Sequence, residues 1–258
     1  MSSMQISRQA NPLCLCRRAA MCSRRNFDMR HIMMFVLITF ATLFGSTGLA
    51  AAAPPKSYCD ELKGTTTGEV CKIQMTEPGY TVDISLPSNY PDGKSLESFV
   101  RETGEHFLDK AKSSAARDAP YELDITSTNY ESAIPPRGTQ SVVLKIYQNV
   151  GGPRPQTTYK AFNWDQAYRK PITWDKLWQP ETDPLKVVFP IVESELSKQS
   201  EEQVVIASSA GLDPKNYQNF AISNDGITFF FSPGELLPEA AGARQVLVPR
   251  AAVDPMLA

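Results

Sequence analysis

The stretch that decides the fold is Asn224 to Pro249, NDGITFFFSPGELLPEAAGARQVLVP. Asn224-Asp225-Gly226 supplies the residue types that a tight turn with positive φ needs, and the apolar run Ile227 to Phe231 is too short for a helix. A buried strand is expected there. Pro233, Gly234 and Pro238 interrupt regular structure, Ala240-Ala241-Gly242 makes a small-residue corner, and Val246 to Val248 resumes as a second strand stopped by Pro249. The unit reads as strand, crossing loop, strand, and none of its residues announces a reaction.

Working upstream, Leu185, Val188, Val192 and Leu196 fall on one helical face, which predicts a helix over 185–199 with Pro190 in its first turns or kinking it. Trp174 to Trp178 reads as a single helical turn. Alternating residues predict strands at 141–148 and 157–162, joined by the turn-rich NVGGPRP, and another at 121–125. Short connections make these an antiparallel set. Further back, Leu96, Phe99, Val100, Phe107 and Leu108 predict an amphipathic helix over 95–112, and 69–75 with 80–86 a hairpin turned at Glu77-Pro78-Gly79. The sum is an α+β fold of antiparallel sheets with two main helices, in two packed portions, 54–156 and 157–258.

Two resemblances sit on these residues. The order ITFFF, SPGEL, PEAAG, VLVP, preceded by Tyr159 to Trp178 (YKAFNWDQAYRKPITWDKLW), resembles the C-terminal domain of RsiV-type bacterial anti-sigma factors. The run from Ser57 onward (SYCDELKGTTTGEVCKIQM, SAIPPRGTQSVVLKIYQN, FSPGELLPEAAG) is similar to the secreted mycobacterial immunogenic antigen family known from tuberculosis culture filtrates. The resemblance implies a β-grasp-like C-terminal portion, an extracellular antigen that meets the host, and, through the lysozyme-sensing anti-sigma relatives, a scaffold suited to recognising proteins.

The first 53 residues read as a leader. Arg30 and His31 precede the apolar run 32–44, and small residues lead to Ala51-Ala52-Ala53, so a signal peptide cut near Ala53 is expected, the run being short of a membrane span. Met29 offers an alternative start. Ser23-Arg24-Arg25-Asn26-Phe27 resembles a twin-arginine signal, from which Asp28 departs. Three of the five cysteines fall in this leader. The remaining pair, Cys59 and Cys71, spaced by a Gly/Thr-rich loop in an exported chain, predicts a disulfide. Removing the leader's six arginines and one aspartate leaves 20 basic and 27 acidic residues, a net charge of −7. Such a chain, with no basic run, is excluded as a nucleic-acid binder.

Catalytic chemistry finds few parts. His106 is the one histidine after the leader, and it sits on the amphipathic helix beside Glu105 and Asp109, where a solvent-facing role is expected. No catalytic, metal or cofactor signature is present. Asp165 and Asp175 are expected as helix caps, Glu193 and Glu195 as the wet face of a helix, and Phe162, Trp164, Tyr168, Trp174 and Trp178 as a core cluster. Contact residues are expected on the proline-stiffened turns, at Pro136 and Arg137 (IPPRG) and at Arg154 (GGPRP), with Glu235 of the crossing loop as the carboxylate to watch. The functional expectation is a secreted, monomeric, non-catalytic protein that binds host or extracellular protein partners; the alternative is a binder or processor of cell-wall glycan.

Overall fold

The 224–249 stretch folds into the centre and edge of a small sheet, and the rest of the chain is arranged around what that sheet packs on. The structure is a computed structural model that describes residues 56–113, 119–133, 138–200 and 205–258; residues 1–53, where a leader with a signal peptide and an arginine pair is expected, lie outside them. In chain order the elements are α1 (Tyr58–Glu61), β1 (Thr65–Thr67), β2 (Val70–Glu77), β3 (Tyr80–Pro87), α2 (Gly93–Ser113), β4 (Tyr121–Ser132), β5 (Thr139–Asn149) and β6 (Gln156–Asp165). They continue with β7 (Lys170–Pro171), α3 (Trp174–Leu177), α4 (Leu185–Lys198), α5 (Ser208–Gly211), β8 (Phe220–Ile222), β9 (Gly226–Phe231), β10 (Arg244–Pro249) and α6 (Arg250–Val253).

Strands β1 to β7 form one seven-stranded sheet in sequence order, and β10, β9 and β8 a second, three-stranded one. The fold is α+β with mostly antiparallel sheets, as expected, with one correction. Strands β3 and β4 are parallel, Val82 opposite Leu123 and Ile84 opposite Ile125. The cause is α2: a helix between two strands returns the chain to the starting end, so the next strand runs the same way. Its buried residues Leu96, Val100, Phe107 and Ala111 recur at helical spacing and cover Val82, Ile84, Leu123, Ile125, Leu144 and Ile146 on one face of the large sheet. Among the described residues, no helix is long and apolar enough to cross a membrane.

Near the start of the described chain, Cys59 and Cys71 are bonded, with Cα atoms 5.7 Å apart, and both are buried. The bridge fastens α1 to β2. Gly64 lies against it: a Cβ there would stand 2.8 Å from the Cys71 sulfur.

A second core surrounds β9. Helix α4 buries Leu185, Val188, Val192 and Leu196 against the small sheet and runs through Pro190, which is exposed. Trp174, Tyr217, Phe220 and Phe229 form a connected set of rings, and the Tyr217 hydroxyl donates to the Gly211 carbonyl at 2.7 Å. The expected aromatic cluster is thereby split. Phe162 and Trp164 pack with the α2 core, Trp174 and Trp178 with the α4 core, and Tyr168 is 54% exposed beneath the Lys170 ammonium.

The sheets meet through Val143, Ala221 and Phe230, with Tyr130, Tyr159 and Ala161 packed around them. Polar side chains complete the junction. Along its outer edge β6 has no strand partner at Tyr159 and Ala161, and their N–H groups donate instead to Ser232 Oγ (3.2 Å) and Asn219 Oδ1 (3.1 Å). Asn163 Nδ2 donates to the Phe220 carbonyl (2.8 Å), and the Ile222 N–H to Ser141 Oγ (3.1 Å). The last two bonds are buried, and losing either would leave a group without a partner at a cost of about 1–3 kcal/mol; the first two are part-buried. Position 157, the boundary expected between the two portions, falls inside β6, whose pairing with β5 continues unbroken across it.

The turn expected at 224–226 joins β8 to β9: the Ser223 N–H donates to the Gly226 carbonyl at 2.9 Å. Gly226 has φ 155, and a Cβ there would stand 2.1 Å from the Val248 carbonyl oxygen, a backbone atom that cannot step aside. Gly226→Ala is therefore expected to lower the free energy of urea unfolding by about 2 kcal/mol. An unchanged midpoint would contradict the close approach of β9 and β10.

Candidate functional site

The face of the large sheet opposite α2 is only partly covered by the small sheet. Because side chains alternate, the residues of β4 and β5 that lie on this face include Thr126, Thr128, Tyr130, Val143 and Lys145, with Tyr159 on β6 opposite Lys145. Where β9 and β10 leave this face, a hollow of about 370 Å³ remains, floored by Val143 and Phe230 and walled by Gln199, Arg244 and Gln245. Its volume falls in the range of small-ligand clefts.

Each wall has a local cause. Phe230 points away from the α4 core because it alternates with Phe229 and Phe231 on β9, and its ring meets Tyr130 at 5.9 Å and Tyr159 at 5.3 Å. Arg244 is the first residue of β10, placed opposite Phe231 by the strand register, and it follows the corner at Gly242, whose φ of 73 turns the chain. Gln199 closes α4 and donates its side-chain amide to the Gln245 carbonyl at 3.0 Å.

The electrostatics are one-sided. Lys145 and Arg244 line the hollow, and among the described residues no carboxylate does. The Arg244 Nε is sealed from solvent without a hydrogen-bond partner among the described residues, and the guanidinium makes no ion pair among them. Burial pushes the Tyr159 phenol above its ordinary pKa, while the adjacent Arg244 charge acts the other way. Burial likewise raises Tyr130, with its neighbour Tyr159 adding to the shift.

The residues singled out from sequence stand elsewhere. Pro136 and Arg137 lie outside the described residues. The connection that carries them joins Ser132 to Thr139, and Arg154 is exposed on the connection after Asn149. Glu235 accepts the Ser232 N–H at 2.6 Å. Burial raises its pKa, and its hydrogen bonds to Ser232 offset part of that rise. Since Ser232 receives the Tyr159 N–H, Glu235 steadies the junction rather than lining the hollow.

Asp165 is a correction of another kind. It caps the turn after β6, accepting the Tyr168 N–H at 2.8 Å, and starts no helix. Thr173 is the residue before α3, and its hydroxyl donates to Asp175 at 2.6 Å. His106 is exposed on α2, as expected, and borders a second depression of about 550 Å³ with Asp109, Lys110, Ser113 and Gln148. No hydrogen bond joins it to a serine, threonine or cysteine among the described residues, and the Ser113 hydroxyl donates to the Lys110 carbonyl at 3.1 Å.

Comparison with known proteins places this architecture. Residues 175–251, from α3 into α6, match a family described as "Protein of unknown function (DUF3298)". The fold is shared with a DUF3298 family protein of Pseudomonas aeruginosa PAO1, at a TM-score of 0.51 and 11% identity, over 73% of this chain and 92% of that one. Over 88% of this chain and 99% of its own length, a protein named esterase Rv3036c from Mycobacterium tuberculosis is 42% identical. Immunogenic protein MPT64 of the same species is 66% identical over 227 residues, again 88% of this chain and 99% of that protein. The chain therefore belongs to the family of the mycobacterial immunogenic protein MPT64, as the runs from Ser57 onward implied.

Proposed function

We propose that the protein is an extracellular antigen that works by binding, without turnover, and that the hollow between the sheets is where it binds its partner. The observation that carries this reading is the pair Lys145 and Arg244 in a cleft with no acid among its described lining residues, on a chain whose residues after the leader net −7. The half-buried Arg244 keeps its Nε out of water without a partner among the described residues, and an arriving anion would give that cation a counter-charge. The name of MPT64, an immunogenic protein, supports an extracellular antigen, and export after cleavage near Ala53 belongs to the same reading. Host or extracellular proteins are the partners this favours, with envelope glycan as the alternative occupant.

The test is saturable binding of the fluorescently labelled secreted protein to cultured host cells, compared with Lys145→Ala. The wild type is expected to bind saturably and the variant about tenfold more weakly. Equal binding by both would remove the hollow from the reading.

A second reading, ester hydrolysis, is favoured by the relative named an esterase and by His106 and Ser113 bordering one depression. Its test is release of nitrophenol from p-nitrophenyl butyrate. Activity abolished by His106→Ala would put this reading in place of the first.

A further inference from the structure

We infer that the hollow between the sheets takes an acidic saccharide, with an oxyanion held between Arg244 and Lys145 and the sugar's hydroxyls among Thr128, Tyr130, Tyr159 and Gln199. The inference rests on the reading of the hollow as the binding site and names the chemistry of its occupant.

A guanidinium presents several N–H donors in a planar fork, and here its Nε is already shut off from water and unpaired. The Nε has no hydration left to lose, and the rest of the guanidinium would exchange water for charge-assisted hydrogen bonds to a carboxylate or sulfate. Lys145 is exposed and adds a second charge from β5, a strand of the other sheet, so the anion is gripped from both sides of the junction.

The remaining lining is hydroxyls and amides set around an aromatic floor. Tyr130 and Tyr159 are held in place by Phe230 and so lose little freedom when a ligand arrives. Their raised pKa values keep both phenols protonated at neutral pH, where each can donate as well as accept. Hydroxyl and amide groups of mixed donor and acceptor character suit a sugar ring, which offers the same mixture. A purely apolar ligand would leave these groups unpaired. A cationic ligand would face two like charges.

Isothermal titration of the secreted full-length protein tests the inference with four probes: a hyaluronan tetrasaccharide (carboxylate), a chondroitin sulfate tetrasaccharide (carboxylate and sulfate), chitotetraose (neutral) and inorganic sulfate. At least one of the acidic tetrasaccharides is expected to bind about tenfold more tightly than chitotetraose and than inorganic sulfate, and to weaken as salt is raised. Tighter binding of the chondroitin sulfate sugar would show that its added sulfate is held, and equal binding would point to the carboxylate that both sugars carry. Lys145→Ala and Arg244→Gln should each weaken that binding about tenfold. Lys145 is exposed, so its variant remains informative if Arg244→Gln fails to fold.

Equal binding of the neutral sugar, binding of sulfate as tight as that of the tetrasaccharides, or no heat from either acidic sugar would overturn the inference. If host-cell binding still depends on Lys145 while both acidic sugars give no heat, the saccharide is wrong and the hollow remains the site. If neither depends on Lys145, both readings fall.

Discussion

Phe229→Ala is expected to lower the free energy of unfolding by about 4 kcal/mol, the range found when a fully enclosed phenylalanine is truncated. Phe229 lies on β9, the middle strand of the small sheet, with no solvent exposure, and its ring is within about 6 Å of three others: Trp174 at 6.0 Å, Tyr217 at 5.4 Å and Phe220 at 6.3 Å. These rings come from α3, from the segment after α5 and from β8, so the void would open where three chain segments converge. Little collapse is available, because the facing atoms belong to elements already fixed by Val188, Val192 and Leu196 of α4. Phe229→Leu, which keeps most of the volume, should lose less than about 1.5 kcal/mol. Urea unfolding followed by tryptophan fluorescence measures both. An alanine variant within 1 kcal/mol of wild type would mean that the rings do not form the core described.

Replacing Cys59 and Cys71 together by serine is expected to cost about 3 kcal/mol and to lower Tm by about 10 °C. The bridge spans a sequence separation of 12, and its removal frees α1 and the β1–β2 hairpin from each other. Serine adds to the loss, because both positions are almost fully enclosed and a hydroxyl there needs a partner. Differential scanning calorimetry of wild type with and without reductant separates the two contributions. A reductant that leaves Tm unchanged, with both thiols then reactive, would show that the cross-link does not constrain the unfolded chain.

How much of this was legible in the sequence depends on the kind of information involved. Strands β2 to β6, β9 and β10 announce themselves because each is long enough for alternation or an apolar run to stand out, and α2 and α4 because four buried residues recur at helical spacing. Strand β8 did not, since Phe220, Ala221 and Ile222 are too few to show a period. The parallel pairing of β3 with β4 was equally hidden: alternation fixes which face a residue takes and says nothing about strand direction.

The hollow was hidden for a third reason. Val143 and Lys145 share one face of β5, yet the first meets Phe230 and the second is exposed, and only the footprint of the small sheet decides between them. Tyr130, Tyr159 and Arg244 are distant in sequence and meet because two sheets stack. Glu235, singled out as a contact residue, accepts the Ser232 N–H within its own loop.

The side chains of Ser232 and Asn219 bear on how copies of this chain treat one another. Unpaired amides along a border invite a foreign backbone to zip on, the first step toward fibrous stacking. Here two of those docking points are already plugged by a hydroxyl and an amide belonging to the chain itself, and a stranger must evict both before it can attach. A protein that spends its life in crowded fluid outside any chaperone's reach would gain persistence from such a plug, with no need for charge or proline along that border.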